Sequence, residues 1–162
     1  MREALSLILG KAENAKLVDH LCQSRVEFLI VGGTAMALHG CRDLAEVNDL
    51  DLLVAPTMEN ANRVVHALSA AQVPLCAQPE LLAKPAVQLP IKNWQYFAEI
   101  LTPRKGFDFE EMFKASVSVT FRGNTLNVVS RTDLFRMKED AVSEIQRVLA
   151  KHQKDLECLR NA

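Results

Sequence analysis

The stretch VEFLIVGGTAMALHGCRDLAEVNDLDLLV, Val26 to Val54, constrains the fold more than any other part of the chain. Val26 to Val31 is apolar and rich in branched residues, the pattern of a short buried strand. Gly32-Gly33 ends it, Thr34 to His39 reads as a short helix before Gly40, and Leu50 to Val54 reads as a second buried strand. Side chains alternate faces along a strand. Leu50, Leu52 and Val54 can therefore enter the core, while Asp49, Asp51 and Leu53 point the other way. Two carboxylates one pleat repeat apart repel each other unless one is protonated or a cation lies between them. Mg²⁺ is the natural cation, because one or two carboxylates typically hold it together with substrate phosphates and water.

Gly32-Gly33-Thr34 has a meaning beside such a pair. Glycines let a backbone approach a ligand closely, and a helix starting at Thr34 would turn its free N–H groups outward. Those groups and the threonine hydroxyl can cradle a phosphate. A metal site and a phosphate site at neighbouring strand ends together describe a nucleotide–metal complex.

The remaining pattern alternates helices with strands, which predicts an α/β (α+β) fold: a small mixed β-sheet with flanking helices. At 162 residues a single domain is expected. It divides into an N-terminal helical segment (1–25), a sheet core (26–129) and C-terminal helices (130–162). Residues 3–24 read as helix with a break near Gly10, its apolar face made by Leu5, Ile8, Leu9, Leu17, Val18 and Leu21. After Pro56, Thr57 can cap an amphipathic helix with Met58, Ala61, Val64, Val65 and Leu68 on one face. Residues 73–92 hold four of the six prolines and predict loop and edge structure. QYFAEILT reads as a strand, DFEEMFKAS as a short helix, and VSVTFRGNTLNVV as a hairpin turning at Arg122-Gly123-Asn124. Ser130 and Asp133 have capping-box spacing for a terminal helix whose stripe is Leu134, Met137, Ala141, Ile145 and Val148.

A formal net charge of -1 argues against a broadly basic nucleic-acid platform and leaves room for a small basic site. The apolar runs are far shorter than a membrane span, so no membrane association and a cytoplasmic location are expected. Cys22, Cys41, Cys76 and Cys158 are scattered without paired spacing and read as free thiols rather than zinc ligands.

The motif order GGTAMALHGCR…NDLDLLV resembles the DNA polymerase β-like nucleotidyltransferase superfamily, and within it the small bacterial branch that includes nucleotidyltransferase toxins of abortive-infection systems. The resemblance extends more loosely through AEILTPRKGFDFEEMFKASVSVTFRGNTLNVVSRTDLFRMKEDA and KDLECL. It implies that Gly32, Gly33 and Thr34 line a triphosphate and that Asp49 and Asp51 hold Mg²⁺ (or Mn²⁺). Glu99, an acid interrupting the apolar neighbours of YFAEILT, matches the family's third carboxylate. A charge there needs a partner, and a metal or a basic side chain would serve.

Lys138 falls in the middle of the terminal helix's apolar stripe. Either it snorkels past the core edge or it contacts phosphate, as the family's C-terminal lysine does. Arg42 is a further basic candidate on the loop before the acidic strand. Lys154 and Asp155 match a later pattern more weakly, with Lys154 on the outer face of a continuous helix. His39 suits a local role at a helix terminus.

The activity implied is in-line attack of an acceptor hydroxyl on the α-phosphate of an NTP, ATP by default, with release of pyrophosphate. The acceptor could be RNA, a protein or a small molecule, and a toxin or antitoxin partner belongs to the same resemblance. The competing expectation is a non-catalytic chain of the same fold that binds a nucleotide or a protein partner.

Overall fold

The computed structural model describes residues 2–11, 13–74, 77–92, 95–144 and 155–160. Ile145, Val148, Cys76 and Lys154 lie outside the described residues. The N-terminal helical stretch divides into α1 (Arg2–Leu9) and α2 (Asn14–Gln23), with the break at Gly10. Its six expected apolar positions are all buried. Asn14 is buried too: its side-chain amide donates to the Phe97 carbonyl at 3.1 Å and accepts from the Phe97 N–H at 3.0 Å. An amide side chain thus stands in for a neighbouring strand and ties α2 to the sheet.

Six strands form one mixed sheet: β1 (Phe28–Ile30), β2 (Leu50–Val54), β3 (Gln88–Lys92), β4 (Phe97–Leu101), β5 (Val117–Phe121) and β6 (Asn124–Val128), in the order β3-β4-β2-β1-β6-β5. β2 runs antiparallel to β1 and parallel to β4. The proline-rich stretch supplies one short helix, α5 (Pro79–Leu82), and the edge strand β3, where Pro90's missing N–H is tolerated. β5 and β6 form the expected hairpin. Arg122 and Gly123 both have positive φ (48° and 81°), the requirement of a two-residue turn matching the twist of its strands.

The first helix after β1 is α3 (Gly32–Leu38), which starts two residues earlier than the pattern suggested. Val31 is extended, and Gly32 at φ +59° turns the chain directly into the helix, so the glycines form its first turn rather than a loop before it. α4 (Met58–Ala70) is capped as expected, the Thr57 hydroxyl accepting from the Asn60 N–H at 3.2 Å. Its packed face is Asn60, Ala61, Val64, Ala67 and Leu68; Met58 is 47% exposed and does not belong to it. The buried Asn60 amide bonds the backbone of Glu27 in both directions (2.8 and 3.0 Å) and donates to the Ala55 carbonyl at 3.2 Å, fixing α4 to the ends of β1 and β2.

α6 (Phe109–Lys114) is capped by Asp108. α7 (Arg131–Glu144) opens on the Ser130–Asp133 pair, with only the serine half of a capping box: Ser130 Oγ accepts from the Asp133 N–H at 3.1 Å and donates to Asp133 Oδ2 at 2.7 Å. A last helical segment covers residues 155–160. The apolar core joins α2, α3 and α4 to the sheet.

Candidate active site

Three carboxylates converge where the start of β2 lies beside the middle of β4. Asp51 and Glu99 are register partners on these parallel strands and share a sheet face, while Asp49 immediately precedes β2. One oxygen from each of the three lies within 4.8 Å of the others. Asp51 stands between the glycine turn and Glu99. Burial, then the Asp49 charge, pushes its carboxyl up to about 6, partly offset by the Gly33 N–H that donates to Asp51 Oδ2 at 3.2 Å. Three hard oxygen donors, one of them with its acidity weakened chiefly by burial, form a set that could hold Mg²⁺ or Mn²⁺.

The edge strand β3 adds two residues that the sequence reading passed over. Lys92 Nζ donates to Asp49 Oδ2 at 2.8 Å and to Glu99 Oε1 at 3.2 Å, and Gln88 Nε2 donates to Glu99 Oε2 at 2.8 Å. Glu99 therefore has its charge partner in a basic side chain. The signal was present in the i, i+4 spacing of Gln88 and Lys92 on one strand face, but it is legible only once β3 is known to pair with β4.

The glycine turn stands against the acids. A Cβ on Gly32 would lie 1.8 Å from Asp51 Oδ2, and one on Gly33 would lie 2.8 Å from Arg42 Nη1. Thr34 is fully buried, and its hydroxyl donates to the Asp49 carbonyl at 3.0 Å. That hydroxyl holds the backbone leading into β2 instead of pointing outward with the first turn.

Beyond Gly33 lies a second cluster. The Arg42 guanidinium pairs with Asp155, and Lys138 Nζ sits 3.4 Å from the same Asp155 oxygen. Arg42 and Asp155 side chains are each 5% exposed and Lys138 12%. Burial lowers the Lys138 pKa, with Asp155 raising it back and Arg42 lowering it further. Lys138 thus departs from its apolar stripe toward the site side of α7. Asp155 is the residue sequence reasoning undervalued, since its neighbour Lys154 drew the attention. His39 is the C-cap of α3, with Nε2 2.8 Å from the Val129 carbonyl.

On the Glu99 side a cavity of about 490 Å³ opens between the sheet and α7. Leu53, Leu101, Met112 and Met137 line it beside Asp51 and Glu99, and the Arg104–Asp140 ion pair (3.0 Å) stands in its wall. The site therefore has a cationic flank by Gly33 and a mostly apolar flank by Glu99.

No family model matches this sequence, and no curated protein matches it by sequence. Solved structures do match it by shape. ANT(2")-Ia, in complex with adenylyl-2"-tobramycin, aligns over 91% of this chain and 85% of its own, with a TM-score of 0.59 at 12% identity. An antigenic nucleotidyltransferase-like protein from Paracoccidioides brasiliensis aligns over 91% of this chain and 76% of its own, with a TM-score of 0.54 at 14% identity. The fold is that of the nucleotidyltransferases. At these identities the likeness is one of fold alone.

Proposed function

We propose that this chain is a metal-dependent nucleotidyltransferase that moves NMP from an NTP, ATP by default, to an acceptor hydroxyl and releases pyrophosphate. The observation that supports it most is the convergence of Asp49, Asp51 and Glu99 beside the Gly32-Gly33 turn. The three carboxylates would hold a divalent ion, which supplies charge neutralisation for the phosphates when bound.

The chain's own residues divide the work. Gly32 and Gly33 leave room for the triphosphate against the first turn of α3, and Arg42 and Lys138 offer it cationic side chains from the far flank. Thr34 acts as a positioning residue through its bond to the Asp49 carbonyl. The acceptor oxygen forms a bond to the α-phosphorus while the bond to the β-phosphate bridging oxygen breaks, and Glu99 takes the hydroxyl proton. The cavity beside Glu99 is where the acceptor would enter. RNA, a protein or a small molecule remains the acceptor class. Adenylyl-2"-tobramycin in the neighbouring structure favours testing small molecules first.

A second reading is a non-catalytic nucleotide-binding chain of the same fold. The ammonium of Lys92, paired with both Asp49 and Glu99, favours it. The two readings separate on incubation with each α-labelled NTP, Mg²⁺ or Mn²⁺, and a panel of small molecules, RNA and cell extract. Label transfer that disappears in Asp49→Ala and Asp51→Ala supports the enzyme. NTP binding without transfer under every condition supports the second reading. A toxin or antitoxin role, drawn from the bacterial branch, would appear as growth arrest on expression that a co-encoded partner relieves. Among the described residues no helix is long and apolar enough to cross a membrane.

A further inference from the structure

Lys92 bridges two carboxylates from the edge strand β3. Its ammonium touches one oxygen of Asp49 and one of Glu99, two of the three groups proposed above to hold a divalent ion. A carboxylate oxygen donates the same lone pairs to an ammonium or to a metal, so the two cations compete for them.

The surroundings of Lys92 make the exchange feasible. β3 is the edge of the sheet, and the Lys92 side chain is 45% exposed, leaving it room to swing into solvent. Gln88 would keep its hold on Glu99 Oε2 throughout, so the carboxylate stays aimed while its other oxygen changes partner. Asp51 is held separately, by the Gly33 N–H.

We infer that Lys92 is an internal competitor for the metal site: the lysine ammonium and a divalent ion hold Asp49 and Glu99 in turn, and loading one releases the other. This rests on the proposed metal-binding reading of the three carboxylates. With Lys92 in place, both Glu99 oxygens face donors, Lys92 on Oε1 and Gln88 on Oε2. Glu99 then has a poor claim on an acceptor's proton. When the metal arrives, Glu99 Oε1 passes from the ammonium to the ion, so metal loading and lysine release are one exchange. A ligand that binds only the lysine-out form has its apparent affinity reduced by the fraction of molecules in that form.

The test compares Mn²⁺ binding, followed by electron paramagnetic resonance of the free ion, in the native chain, Lys92→Met and Lys92→Met/Glu99→Gln. Removing a two-carboxylate competitor should tighten Mn²⁺ binding about tenfold in Lys92→Met, and the double variant should lose that gain. A second readout needs no variant. Acetylation of Lys92 in the native chain, followed by mass spectrometry against the 79% exposed Lys114, should accelerate several-fold on adding Mg²⁺. Equal or weaker Mn²⁺ binding in Lys92→Met overturns the competition and leaves the nucleotidyltransferase reading standing. Absence of Mn²⁺ binding in both the native chain and Lys92→Met overturns the two together. If Lys92→Met does not fold, an acetylation rate insensitive to Mg²⁺ overturns the competition.

Discussion

Arg42 and Asp155, 113 positions apart in the chain, form a buried ion pair beside Gly33. The pair brings the last helical segment onto the loop after α3. It also supplies the countercharge for Lys138, so one carboxylate serves two buried cations. Removing that carboxylate is more damaging than removing the whole cluster, since a lone buried charge keeps its desolvation cost and loses its compensation. Asp155→Ala should lose about 3 kcal/mol of stability in urea unfolding. Arg42→Met/Lys138→Met/Asp155→Leu should recover most of that loss while NTP binding, measured by calorimetry, disappears.

The two glycines of the turn should respond differently to alanine. At Gly32 the added Cβ meets both the carboxylate and the Cβ of Asp51, at a positive φ that alanine resists. Gly32→Ala should cost about 2 kcal/mol and abolish label transfer, because the new Cβ would displace the Asp51 carboxylate from its place and press on the strand that carries it. At Gly33 the obstruction is the far end of the Arg42 side chain, and the backbone is not in the left-handed region. Gly33→Ala should fold nearly normally and weaken NTP binding by moving the guanidinium. Thermal melts alongside NTP titrations would distinguish the two.

Asp51 sets a pH dependence of stability. Its folded value of about 6 stands above the ordinary 3.8, so folding favours the protonated form. That contribution is complete below about pH 4 and is lost as pH rises through about 6. Asp51→Asn removes the titration. It should be more stable than the native chain by about 2 kcal/mol at pH 7.5 without metal, the difference closing near pH 4. Mg²⁺ should raise the melting temperature of the native chain and leave that of Asp51→Asn almost unchanged.

Asn60 offers a test of the scaffold apart from the chemistry. Its amide satisfies the N–H and carbonyl of Glu27 and the carbonyl of Ala55. Asn60→Ala would strand those groups in a buried setting and should cost about 2 kcal/mol in denaturant midpoint analysis. NTP binding by the folded fraction should be preserved.

Features with local causes were legible in the sequence. The break at Gly10, the Thr57 cap, the Arg122-Gly123 turn and the Ser130 hydroxyl cap on Asp133 each depend on residues a few positions apart, and each occurs where spacing placed it. The alternation that put Asp49 and Asp51 on one face was equally local. Met58 was misplaced because a helix face read from hydrophobicity alone ignores a buried polar residue such as Asn60, which shifts the packed stripe. What spacing could not provide was strand order. Only the parallel pairing of β2 with β4 sets Glu99 beside Asp51, and only the edge pairing of β3 aims Gln88 and Lys92 at it. Asp155 was out of reach for the same reason, since no local signal says which loop a distant helix will meet.

The distance between Arg42 and Asp155 also fixes a sequence of events during synthesis. A chain leaving the ribosome presents both glycines, Arg42, Asp49 and Asp51 first, Glu99 later, and the countercharge of Arg42 only after all three acids. Domains begin to organise as they emerge, so the sheet and its acids can assemble while the cationic flank is still unbalanced. The cationic flank beside Gly33 is therefore completed after the three acids are in place.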